Sequence, residues 1–137
     1  IARINASYGP NGGVPAYHGD WVAAGQTGWL REPRPNAYSP IHEDDMAHQV
    51  AALLDAASTP ATIVNWCGDD MATAEDWTAA FGAHLGVNPE IAYYDLPGSQ
   101  PGSAADPTKR LSLTGPCSID WHDGMIATLD ARTGPTT

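Results

Sequence analysis

Seven consecutive positions, His42-Glu43-Asp44-Asp45-Met46-Ala47-His48, hold two imidazoles and three carboxylates. Such groups ligate metals or move protons when their spacing brings them together. His18, His42, His48, His84 and His122 show neither HxH nor HExxH spacing, so no metal ligand is assigned. The segment reads first as a helix start, with Asp44 or Asp45 at the N-cap accepting otherwise unpaired N–H groups. No GxSxG turn offers a serine nucleophile. Arg31 and Arg34 are two of only six basic residues and share a proline-rich loop. A guanidinium is a fixed bidentate donor, so the pair suits an anionic ligand; the competing reading is a solvated loop balancing local acid.

The elements that must carry these groups are legible in the pattern. Ala2 to Tyr8 reads as one strand of mixed polarity, broken by Gly9-Pro10-Asn11-Gly12-Gly13. Pro15 opens a helix running to about Ala24, with Gly25 past its end. Thr27 to Arg31 reads as a short strand, and residues 32–40 as loop. Met46, Val50, Leu53, Leu54 and Ala57 recur on one helical stripe, which Ser58-Thr59-Pro60 ends. Thr62 to Trp66 is short, β-branched and apolar, the signature of a buried strand. Thr73 caps a further helix with Glu75 and Asp76 in its first turn and Gly86 at its end. His84 lies on that helix's apolar stripe and reads as a core-edge residue. Glu90 to Leu96 reads as a strand, residues 97–103 as a flexible connection, and Asp120 to Asp123 as the start of a last helix ended by Gly134-Pro135.

Composition limits the rest. A chain of 137 residues supports one domain with a real core. Sixteen acidic against six basic residues give a formal charge of −10, which argues against a nucleic-acid partner or an acidic membrane surface. No apolar run approaches the roughly 18 residues that span a bilayer. No secretory leader is visible, and a cytoplasmic location with two reduced, buried thiols, Cys67 and Cys117, is expected. The chain begins at Ile1 rather than Met, so a fragment or a processed product is expected.

Three segments together resemble the extended short-chain dehydrogenase/reductases, the NAD-dependent epimerase/dehydratase family. The first is Ile41-His42-Glu43-Asp44-Asp45 followed by a helix and Val64-Asn65-Trp66-Cys67-Gly68. The second is Arg3…Tyr8-Gly9-Pro10. The third is Ala105-Asp106-Pro107-Thr108-Lys109 with Leu113-Thr114-Gly115-Pro116 and Asp120…Gly124. The resemblance covers nearly the whole chain but only the back portion of the family's length. It implies an α/β fold: the C-terminal portion of an NAD(P)-binding Rossmann-type enzyme, with two sheet strands and a small mixed substrate lobe. Residues 1–137 would be one substrate-side domain lacking its N-terminal cofactor-binding half.

By that resemblance Tyr8, Gly9 and Pro10 border the cofactor; the candidate substrate-facing residues are Asn11, Arg31, Arg34 and Tyr38. Two departures stand out. The family's strand Asn falls at Ala6, with Asn5 one position early, and Tyr38 stands where nucleotide-sugar enzymes carry an Arg. The family's GxxGxxG turn and its Tyr-x-x-x-Lys pair are both absent; Lys109 is the only lysine. No catalytic residue is therefore assigned. NAD or NADP is expected for the full-length enzyme and none for this chain alone. The implied partners are a small alcohol or carbonyl substrate and the missing Rossmann half, with a homodimer open to the full-length form. The alternative is a free-standing, non-enzymatic binding or scaffolding module.

Overall fold

The computed structural model describes residues 1–98 and 100–134. In chain order it contains β1 (Ala2–Ile4), β2 (Ser7–Tyr8), α1 (Val14–Ala23), β3 (Gly28–Arg31), β4 (Ala37–Tyr38), β5 (Ile41–His42), α2 (Glu43–Asp55), β6 (Val64–Trp66), β7 (Ala72–Thr73), α3 (Ala74–Leu85), β8 (Ile91–Tyr94), α4 (Thr108–Thr114) and α5 (Trp121–Thr133). Strands pair two by two. β1 with β6, β2 with β5 and β3 with β8 run parallel, and β4 with β7 antiparallel. Ser99 of the expected connection and Pro135 of the expected helix stop lie outside the described residues.

The strand expected over Ala2–Tyr8 is broken in two, for a reason that lies in Asn5. Its backbone N–H donates to the Trp66 carbonyl at 3.0 Å, which ends the ladder with β6. Its side-chain oxygen accepts the N–H groups of Ala6 and Ser39, both at 2.9 Å. The chain turns there and resumes beside β5, where the Ile41 N–H donates to the Ala6 carbonyl at 3.1 Å. A polar side chain that bonds local backbone competes with the ladder in this way.

Helices α1, α3 and α5 pack on one another. Val22, Trp77, Phe81, Met125 and Leu129 fill the space between them, joined by Tyr8 and Leu30 from the strands. Trp77 is fully buried, and its indole N–H donates to Nδ1 of buried His18 at 3.0 Å. α3 begins as expected at Thr73. The Thr73 hydroxyl accepts from the Asp76 N–H, and the Asp76 carboxylate accepts from the Thr73 N–H, each at 3.0 Å. Thr73→Ala should lower stability by about 1 kcal/mol, read as a drop in urea midpoint at constant slope. An unchanged midpoint would show that Asp76 alone anchors this end.

α2 departs from the sequence reading twice. Neither Asp44 nor Asp45 caps it; His42 does, its Nδ1 accepting the Asp44 N–H at 3.1 Å. Asp45 is buried and serves another segment, accepting from the N–H and hydroxyl of Ser118 and from the Ile119 N–H. The apolar stripe is also not in the core. The buried residues of α2 are Asp45 and Gln49, while Val50 is 40% and Leu54 69% exposed. That stripe opens on a groove of about 250 Å³ lined by Ile1, Val50, Leu53, Leu54, Val64 and Leu113. Ile4 on β1 and Ile63 before β6 are exposed as well.

Among the described residues no helix is long and apolar enough to cross a membrane.

Candidate functional site

The turn after β2 is closed on itself. The Gly9 N–H donates to the Gly12 carbonyl at 3.1 Å, and the Gly12 N–H returns to the Gly9 carbonyl at 3.0 Å. A Cβ on Gly9 would collide with the Glu43 side chain, so glycine here permits close approach of the turn to α2. Asn11 at the tip donates its amide to Glu43 Oε1 at 2.9 Å. Tyr8 is only 2% exposed. Its ring meets His42 edge-on at 5.2 Å, and its hydroxyl reaches the Trp121 carbonyl at 3.4 Å. Burial and the carboxylates of Asp120 and Asp45 raise its phenol pKa, so Tyr8 is neutral and structural at its side chain. Gly9 is buried as well, so any ligand bordered by this stretch meets Pro10, which is exposed, and not the phenol.

The second group sits at the ends of β3 and β8. The Arg31 guanidinium lies 4.6 Å over the Tyr94 ring, and that of Arg34 lies 3.9 Å over the Tyr93 ring. Tyr93 and Tyr94 are successive strand residues, whose side chains leave on opposite faces. The two arginines therefore flank the strand rather than forming one fork. Arg34 also pairs with Glu32 at 3.2 Å. Tyr38 is half-buried, its ring 5.5 Å from Trp77, and burial raises its pKa against the opposing pull of Arg31.

Asn36, which the sequence reading left in a plain loop, holds this corner together. It is 1% exposed, and its side chain exchanges bonds of 2.8 Å with both the N–H and the carbonyl of Arg31. Its own N–H donates to Glu75 at 3.0 Å, and Tyr93 donates to the same carboxylate at 3.2 Å. The only available signal was an Asn five residues beyond an Arg, which is too common to read.

A third arrangement was also missed. Arg110 is fully buried. It donates to the Cys67 carbonyl at 3.0 Å and the Gly115 carbonyl at 2.7 Å, and it pairs with Asp69. Asp69 in turn accepts the Cys117 N–H at 2.9 Å. Together with Asp45, this fixes residues 115–119 against the start of α2 and the end of β6. Both cysteines are free; Cys67 is buried and Cys117 half-buried, and burial pushes the Cys117 thiol up to about 11. His84 is at the surface, 2.8 Å from Asp130, rather than at the core edge.

The turn at Gly9–Gly12 does not fit a pyrophosphate. Two of its amides are spent on each other, and Glu43 and Asp44 stand beside it. Among the described residues no group of three or more His, Cys, Asp or Glu is arranged to hold a metal ion.

No family model matches the chain, and no curated protein matches it. Solved structures do. The Thermus thermophilus UDP-glucose 4-epimerase, in complex with NAD, superposes with a TM-score of 0.80 at 21% identity over 98% of this chain. This chain has the fold of one part of such an enzyme. It spans 46% of that epimerase. The Bacillus cereus UDP-glucuronic acid 4-epimerase matches at 0.80 and 17% identity, over 96% of this chain and 44% of its own. The Bacillus anthracis dTDP-glucose 4,6-dehydratase matches at 0.74 and 16%, over 96% and 43%. Its neighbours in structure are thus NAD-dependent epimerases and dehydratases, and the chain spans less than half their length.

Proposed function

We propose that this chain is the substrate-side lobe of an NAD(P)-dependent epimerase, dehydratase or reductase. Such an enzyme would act by hydride transfer on a sugar-like or other small alcohol or carbonyl substrate. The observation that carries the reading is the match over 98% of this chain to under half of an epimerase. The exposed apolar stripe of α2 and the outer edge of β1 support it: they are where a continuing sheet and its helices would pack. In this reading a Rossmann half grips the dinucleotide and supplies the proton-moving residues. Gly9 and Pro10 border its nicotinamide end, with Tyr8 fixing them from behind. Asn11, Arg31, Arg34 and Tyr38 are the proposed substrate-facing residues.

The gene sequence upstream of Ile1 decides first. An in-frame GxxGxxG and Tyr-x-x-x-Lys support the proposal, and a start codon near Ile1 removes it. In the full-length protein, Arg31→Ala and Arg34→Ala should each lower kcat/KM about 10-fold, the cost of one charge-assisted contact. Unchanged kinetics in both would take the arginines out of the site. This chain alone should leave NADH fluorescence unaltered, and tight binding would contradict the division of labour. A second reading, a free-standing binding or scaffolding module, is favoured by the Trp77 core, which closes without help from outside.

A further inference from the structure

We propose that the outer edge of β1 takes one further β-strand, laid parallel to it under the overhanging stripe of α2 and supplied by the half that completes this lobe. The partner rests on the function proposed above; the docking geometry is this chain's own.

Hydrogen bonds fix which way β1 faces. Its ladder with β6 is bounded by the Val64 N–H on the Ile1 carbonyl at 2.9 Å and the Asn5 N–H on the Trp66 carbonyl at 3.0 Å. Backbone groups of successive strand residues alternate in side, so Ile1, Arg3 and Asn5 turn to β6 while Ala2 and Ile4 turn away. Among the described residues β1 has no second neighbour, and no backbone group bonds to Ala2 or Ile4. Their N–H and C=O groups form an open template for another strand.

Side chains fix what kind of strand fits. Ala2, Val64 and Trp66 line the groove of about 250 Å³ beside Val50 and Leu54, so this face of the sheet looks at α2. Trp66 ties the two together, its indole N–H donating to Gln49 at 2.9 Å. The opposite face is polar and already covered: Asn65, in register with Arg3, donates to the Asp106 carbonyl at 3.3 Å. Ile4 joins the α2 side by the two-residue period and is 59% exposed. Among the described residues no charged side chain lines the groove, although the chain carries a formal charge of −10. The fitting segment therefore has apolar side chains at alternate positions, and a parallel pair covered by a helix is continued by a parallel strand. A protein of the matching epimerase's fold holds more than half its length outside the part this chain covers, which is where such a strand would come from.

A second copy is the poorer occupant. Two β1 edges meeting antiparallel about a two-fold axis would set the two Arg3 side chains directly opposite, and like charges so placed repel.

Amide hydrogen exchange, compared between this chain and the full-length protein, is the test. Ala2 and Ile4 should exchange freely in this chain and at least ~100-fold more slowly in the full-length protein. Ile4→Lys and Leu54→Lys should leave the urea midpoint of this chain unchanged, since both side chains are exposed, and lower that of the full-length protein by about 1 M. The exchange measurement needs no variant, so it stands even where a lysine prevents folding. Free exchange of both amides in the full-length protein, unshifted midpoints there in both variants, or protection in this chain that grows with its concentration, the mark of a second copy, would each overturn the assignment. NADH titration of the full-length protein separates the two readings. Protected amides without dinucleotide binding would remove only the proposed function, and dinucleotide binding with free amides only the strand junction.

Discussion

Arg110→Met should cost about 3 kcal/mol of stability, the low end of what removing one partner of a buried ion pair costs, because Asp69 keeps some access to water. The side chain is fully buried and engages Cys67, Thr114, Gly115 and Asp69 at once. Methionine fills the stem but leaves the two carbonyls and a carboxylate without their donor. Against a usual total of 5–15 kcal/mol this is a large fraction. Urea unfolding followed by tryptophan fluorescence reads it as a lower midpoint. Arg110→Met combined with Asp69→Leu should recover part of the loss, because the stranded charge goes too. A single variant as stable as the parent would mean that the guanidinium is dispensable to residues 115–119.

Acid should loosen the three-helix core before the carboxylates titrate. Burial holds the His18 imidazole down at about 4, against 6.5 for the free side chain. The folded state therefore binds the proton less well than the unfolded state. Stability is full above pH 6.5, falls as pH drops toward 4, and is flat below that for this group. At 1.36 kcal/mol per pH unit the loss approaches ~3 kcal/mol. The geometry gives the reason. Nδ1 is occupied by the Trp77 indole N–H, and the ring is stacked 4.6 Å from Trp21, so protonation breaks a bond and puts a charge among aromatics. The urea midpoint should fall between pH 6.5 and 4, and His18→Gln should flatten that fall. An imidazole resonance for His18 titrating near 6.5 in the folded chain would defeat the prediction.

Local signals were the legible ones. Thr73, Glu75, Asp76 and Gly86 mark α3 because cap chemistry is written within a few residues. The same holds for Asp120 at α5. The stripe of α2 was legible as a stripe, but periodicity says only that one face is apolar, not what covers it. Here Gln49 and Asp45 face inward, since each has a distant partner: Trp66 for the amide, and Ser118 and Ile119 for the carboxylate. α4 was missed because its inward residue is Arg110, which in sequence looks like surface. The cap of α2 was misplaced for a similar reason. A histidine ring nitrogen competed with two adjacent aspartates and won, which freed Asp45 for a longer-range role. At the candidate site, Asn11 and Arg34 turn out to be tied to Glu43 and Glu32, pairings that spacing alone does not announce.

Among the described residues every sheet joins segments far apart along the chain: Ala2 lies against Val64, Ser7 against Ile41, Gly28 against Ile91 and Ala37 against Thr73. None is a hairpin that a local turn could nucleate. Each first contact must close a long loop, so assembly will be governed by chain search rather than by the speed at which helices wind. A protease nick in the surface connection near Pro97 would likewise leave both pieces clasped, because α5 beyond the cut packs on α1 and α3 and Arg110 of α4 is tied to Cys67 and Asp69.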